Sequence, residues 1–129
     1  MKLTITLPLP HKSLSPNYTV GSRGARLGKA AKIKKYRMDA MHAGAAEIAD
    51  AGYDLLLWKE ATVQATFYHK DRRRRDSDNL LGSLKSAFDG LKDSGLILDD
   101  SGLTHLPVQK LVDKANPRVE LTVWETKAD

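Results

Sequence analysis

The sequence predicts an α+β fold: one domain spanning residues 1–129, in the order β-α-β-α-β-β, with helices packed on a mixed β-sheet. Three observations predict it. Polar–apolar alternation recurs at the start, in the middle and at the end of the chain. Two stretches with helical spacing of apolar residues separate those alternating runs. The 129 residues are 41% hydrophobic and 29% charged, which supplies one core and a solvated surface without disulfide staples.

Lys2 to Leu7 sets Leu3, Ile5 and Leu7 against Thr4 and Thr6, the period of a strand, and Pro8 and Pro10 close it. His11 to Gly28 is rich in Ser, Pro, Asn and Gly and carries Arg23 and Arg26, so a long basic loop is expected there. Lys29 to Ala51 reads as a helix ending near Gly52, with a broad, weak apolar stripe through Ile33, Tyr36, Ala40, Met41, Ala45 and Ile48. Lys29, Lys32, Lys34, Lys35 and Arg37 crowd its first turns, where cations oppose the helix dipole at about 0.3–1 kcal/mol each near the end. That pattern fits either an anion met by this end or a merely solvated face.

Lys59 to His69 alternates again, with Ala61, Val63, Ala65 and Phe67 on one face of a second strand. Leu80, Leu81, Leu84, Ala87, Phe88 and Leu91 then form one face of a second helix, capped by Asp78 or Asn79 and stopped by Gly95. After the short apolar segment Leu96-Ile97-Leu98, the runs Leu106 to Asp113 and Arg118 to Glu125 are expected as a hairpin turned by Lys114-Ala115-Asn116-Pro117. Val108 and Val112 would then face Val119, Leu121 and Val123.

The net charge of +5 is unevenly spread. Residues 1–75 hold 15 Lys/Arg against 6 Asp/Glu, and residues 76–129 hold 6 against 10. A basic first half joined to an acidic second half suggests polyanion binding beside a metal-binding or solvated acidic face. There is no cysteine, which excludes disulfides and thiolate zinc sites and suits the cytoplasm. No stretch reads as a signal peptide or a membrane span, so no membrane role is expected.

The two halves meet at His69-Lys70-Asp71-Arg72-Arg73-Arg74-Arg75-Asp76-Ser77-Asp78-Asn79-Leu80. Four consecutive arginines invite phosphate. In an extended backbone Asp76 and Asp78 would point the same way, and two adjacent like charges call for a cation between them or for one of them to be protonated. Magnesium suits them, because it takes carboxylate oxygens, keeps waters and leaves positions open for phosphate. Asp99 and Asp100 form a second acidic pair across the second helix. If that helix packs antiparallel to its flanking strands, both pairs return to one end of the sheet and hold one or two ions. Asp-x-Asp is otherwise a plain helix cap. His11, His42, His69 and His105 show no metal-ligand spacing, although His69 adjoins the basic run. Tyr18 and Tyr36 sit among cations and are candidates for stacking on bases, with core packing favoured for Tyr36.

These residues resemble the RusA family of Holliday-junction resolvases. The resemblance lies in Asp71-Arg-Arg-Arg-Arg-Asp-Ser-Asp-Asn-Leu80, Phe88-Asp89-Gly90-Leu91 and Leu98-Asp99-Asp100, with Leu7-Pro8-Leu9-Pro10, Ser15-Pro16-Asn17-Tyr18 and Val119-Glu120-Leu121-Thr122 beyond them. It covers most of the chain. It implies a homodimer that binds four-way DNA junctions in recombination and repair and nicks two strands symmetrically, using magnesium or manganese. By matched position Asp76, Asp78 and Asp100 would bind the metal, with Asp99 beside them. Lys70, Arg72, Arg73, Arg74, Arg75, Arg23, Arg26, Lys29 and Lys32 are the expected DNA contacts. Trp58 and the strand edges are candidates for the dimer interface. One position departs from the family, whose members typically carry a functional lysine one turn after the second Asp. Here that place holds Gly82, and Lys85, a turn further on, is the candidate cation. Two rival readings are a catalytically silent DNA-binding module and a magnesium nuclease for other branched nucleic acids.

Overall fold

Nine residues, Ala61–His69 (β2), are buried on both sides for most of their length and run down the middle of a five-stranded sheet. The computed structural model describes residues 1–127. On one side of β2 lies β5 (Arg118–Glu125), antiparallel to it, and beyond β5 lies β1 (Lys2–Leu7), antiparallel again. On the other side two short strands, β3 (Leu103–His105) and β4 (Gln109–Val112), follow one another along β2, both parallel to it. The sheet is therefore mixed, as the sequence pattern predicts.

Register puts the apolar halves of the alternating runs on one face. Ile5 pairs with Leu121 and Leu121 with Ala65, while Leu7 pairs with Val119 and Val119 with Phe67. Against this face pack α1 (Arg23–Asp50) and α3 (Lys85–Asp93). Tyr36, Ala40, Gly44 and Ile48 form the buried stripe of α1, one residue per turn. The helices approach closely because the contact residues are small. A Cβ at Gly90 would run into the backbone carbonyl of Arg37, and one at Gly44 would come within 2.7 Å of Ser94 Oγ. No helix among the described residues is long and apolar enough to cross a membrane.

Four sequence expectations are corrected. The first helix begins at Arg23, not Lys29, because Ser22 caps it by accepting the Ala25 N–H at 3.1 Å. Arg23 and Arg26 therefore lie on a helix rather than in a loop. The second helix is two helices, α2 (Ser77–Gly82) and α3. At the break Leu84 N–H donates to Leu81 O and Ser83 Oγ donates to Leu80 O, tightening the turn while the apolar stripe stays on the core. The expected strand from Leu106 is interrupted at Pro107, which has no N–H for the ladder; its carbonyl accepts from the Gln64 side chain instead.

The expected terminal hairpin is absent: β4 and β5 flank β2 on opposite sides, and Val112 lies beside His69. Burial explains the outcome. β2 carries apolar residues that need neighbours on both edges, whereas every residue of β4 is exposed and suits a sheet edge. The link 113–117 has to step past only one strand, a distance of about 10 Å.

Candidate active site

The sequence after β2 folds into a loop that fastens itself. Asp71 accepts the Arg73 N–H at 3.0 Å and the Arg75 guanidinium at 2.9 Å. Arg75 also donates to the Arg73 carbonyl, and Lys110 from β4 donates to the Arg75 carbonyl at 3.0 Å. The backbone donor at Arg73, followed by the Arg75 side chain, holds the Asp71 carboxyl below the usual carboxylate range. Arg75 is thus partly spent on the loop, while Arg72, Arg73 and Arg74 stay exposed. Together with Tyr68, His69, Lys110 and Leu111 the run lines a cleft of about 610 Å³. Arg118 lies 3.9 Å over the Tyr68 ring, anchored by Asp113 at 2.8 Å. His69 is buried against Phe67, and burial, then the charge of Arg75, lowers its pKa. Lys70 is exposed at the start of the loop.

The loop ends at Asp76, which is extended and caps α2 by accepting the Asp78 N–H at 2.9 Å. Since the helix starts at Ser77, Asp78 lies in its first turn, and the two carboxylates do not share a face as an extended backbone would have them. Asp76 lines a cleft with His11, Lys12, His69 and Arg75. Asp78 lines the neighbouring one, of about 360 Å³, with Gly82, Lys85, Phe88, Asp100 and His105. A carboxylate in a first helical turn suits the helix dipole, so Asp78 is comfortable there even without a cation.

Asp100 opens the 3₁₀ turn Asp100–Gly102 that leads into β3. Gly102 permits the turn, because a Cβ there would strike the Lys59 carbonyl. Its neighbour Asp99 faces elsewhere: Ser101 Oγ donates to it and Lys92 Nζ lies 3.3 Å away. Those two partners, in that order, hold the Asp99 carboxyl below its usual range. Asp78, Lys85 and Asp100 are therefore together, Asp76 is next door, and Asp99 is engaged by Lys92. Among the described residues no three Asp, Glu, His or Cys side chains converge closely enough to hold a metal ion by themselves. Two hard carboxylates in an open cleft are the donor set that magnesium accepts when waters and a phosphate complete its shell.

Lys85 reaches this cleft because of the helix break. It is the first residue of α3 and is exposed, lining both the Asp78–Asp100 cleft and a groove with Lys29, Pro16 and Asp89. Gly82 is where the loop at Pro16 sits on α2. A Cβ at 82 would stand 2.5 Å from Pro16 Cγ and 3.2 Å from Cδ, so a lysine there has no room. Of the cations on α1, Lys29 adjoins the site, whereas Arg23, Arg26 and Lys32 are exposed on the turns around it.

Sequence reasoning did not single out Lys110 and named His105 only for its lack of metal-ligand spacing, yet both line the clefts. Both enter from the interrupted edge strands, and neither position carries a signal in the sequence beyond its residue type.

Comparison with known proteins identifies the family. The family described as endodeoxyribonuclease RusA matches residues 13–124. The chain is 34% identical over 122 residues to the crossover junction endodeoxyribonuclease RusA of Escherichia coli strain K12, covering 95% of this chain and 93% of that protein. The corresponding protein of Shigella sonnei strain Ss046 is 34% identical over the same shares. That of Enterobacteria phage 82 is 32% identical over 121 residues, covering 94% and 92%.

Proposed function

We infer that this chain, which belongs to the RusA family of endodeoxyribonucleases, resolves four-way DNA junctions by paired nicks in a divalent-metal-dependent hydrolysis. The observation that carries the reading is the cleft shared by Asp78, Lys85 and Asp100, with the basic loop 70–75, which lines a cleft of its own, just before Asp78 in the chain.

The roles follow from the chemistry of each group. Asp78 and Asp100 would hold the ion, magnesium or manganese, with Asp76 next to them at the helix cap. When bound, the ion supplies an activated water and neutralises charge on the phosphate. Lys85 places an ammonium where negative charge accumulates as the phosphorus–oxygen bond breaks. It stands in for a cation at position 82, which Pro16 excludes. Asp76 also holds α2 in register through its cap, so its loss affects the placement of Asp78. Arg72, Arg73 and Arg74, with Lys70, grip phosphates on one side, and Arg23, Arg26, Lys29 and Lys32 on the other. Arg75 keeps the loop in shape.

A four-way junction has approximate twofold symmetry, and each chain supplies one acidic cleft. An isologous homodimer brings two such clefts to the two strands that are cut. We assign the activity to the cytoplasm, in a bacterial or prophage setting.

The test is a nicking assay on a labelled four-way junction and a linear duplex of matching sequence, with and without magnesium. Wild type and Asp78→Asn are compared. Paired nicks in the junction alone, dependent on magnesium and lost in the variant, are expected. Tight junction binding with no cleavage in magnesium or manganese would make the chain a DNA-binding module. Equal cutting of both substrates would leave a nuclease that is not a resolvase.

A further inference from the structure

His105 lies at the end of β3, the strand segment that follows Asp100, and is paired in register with Val63 of β2. Its ring packs at a tilt on Phe88 of α3, with centroids 4.7 Å apart, while the residue as a whole remains exposed. Two rigid elements therefore fix the imidazole on the wall of the cleft that holds Asp78, Lys85 and Asp100. Among the described residues no protein group hydrogen-bonds its ring nitrogens, so they are left to whatever occupies the cleft.

The other polar side chains there leave one need unmet. Ionised Asp78 and Asp100 can only accept hydrogen bonds, and Lys85 is a flexible point charge on a long stem. None of the three is a directional, stationary donor. We propose that His105 is a catalytic residue, donating a ring N–H to a non-bridging oxygen of the phosphodiester seated between Asp78 and Asp100. Partial burial lowers the pKa of the ring, which favours the neutral form with one N–H. No proton is transferred in this contact: the donor orients the phosphate for in-line attack and strengthens as charge builds on that oxygen. The assignment rests on the nuclease reading above.

Two substitutions separate hydrogen bonding from packing. His105→Phe keeps an aromatic ring on Phe88 and removes the donor, whereas His105→Gln keeps a donor and gives up the ring. Each is assayed for single-turnover cleavage of the junction in magnesium, and for junction affinity without divalent metal. The expected result is that His105→Phe cleaves about 10- to 100-fold more slowly with affinity nearly unchanged, while His105→Gln stays within about fivefold of wild type. Melting curves should leave His105→Phe as stable as wild type. The reverse order, with the Phe variant active and the Gln variant slow, assigns His105 to packing and overturns the proposal. Wild-type rates in both variants overturn it as well, and the nuclease reading survives. A fall in affinity equal to the fall in rate would make His105 a general DNA contact, which also overturns it. A wild-type protein that binds the junction and cuts nothing removes the nuclease reading, and this contact with it.

Discussion

Moving the lysine proposed for the active site tests the account of the helix break. Lys85→Ala removes one cation from the cleft, and loss of a single group that stabilises charge in the transition state costs about 10²–10³-fold in rate. Adding Gly82→Lys restores a lysine one turn after Asp78. That double variant is expected to remain as slow as Lys85→Ala, because a Cβ at 82 meets Pro16 Cγ at 2.5 Å and Cδ at 3.2 Å. Relief of the clash costs about 1–3 kcal/mol of overpacking and pushes α2 or the loop out of place. A third change, Pro16→Ala, deletes those two atoms and leaves Cβ, which lies at an ordinary 3.9 Å. The triple variant should then recover at least about tenfold over the double. The assay is single-turnover cleavage of a labelled junction in magnesium, with thermal melting of all three variants to follow the strain. Full activity in Lys85→Ala would show that Lys85 has no role. Full activity in the double variant would show that Pro16 does not keep position 82 free of side chains.

Two further outcomes are expected. The Arg37 guanidinium beside Asp93, at 2.6 Å and 3.0 Å, ties α1 to α3 and holds the Asp93 carboxyl below its ordinary range. A carboxylate depressed in the folded state stabilises fully above its unfolded pKa, about 4, and loses that contribution as pH falls through the lower folded value. Urea denaturation between pH 6 and pH 2.5 should therefore show a shallower loss of stability in Asp93→Asn than in wild type, and parallel curves would contradict the linkage. Junction affinity should fall steeply with salt, and replacing Arg72 and Arg74 by Ala should flatten the log–log slope by about 2, one released counterion per lost phosphate contact. An unchanged slope would place those side chains away from DNA.

Periodic burial made most of the fold legible in the chain. Leu3, Ile5 and Leu7, the run from Ala61 to Phe67, and Val119, Leu121 and Val123 alternate in sequence and share one buried face in space. The motif from Asp71 to Leu80 likewise carried the resemblance to the nuclease family to which the chain belongs. Such signals are local: they depend on residue spacing within one element, which the backbone period converts directly into a face.

Pairing is not local, and there the structure decided. That β5 inserts between β1 and β2 while β4 takes the edge depends on which strands need two covered neighbours. No property of the link 113–117 contains that information. Pro16, sixty-six residues before Gly82 in the chain, rests on α2 at that glycine. The same holds for the cleft. Asp78 and Asp100 line one cleft although the whole of α3 lies between them in the chain, and His105 joins them from a strand with no motif of its own. The sequence alone determined the alternating strands β1, β2 and β5 with their buried faces, the apolar stripe of α1 and the residue types at the candidate site. Only the tertiary structure decided which of those residues share one cleft, because that depends on contacts between segments far apart in the chain.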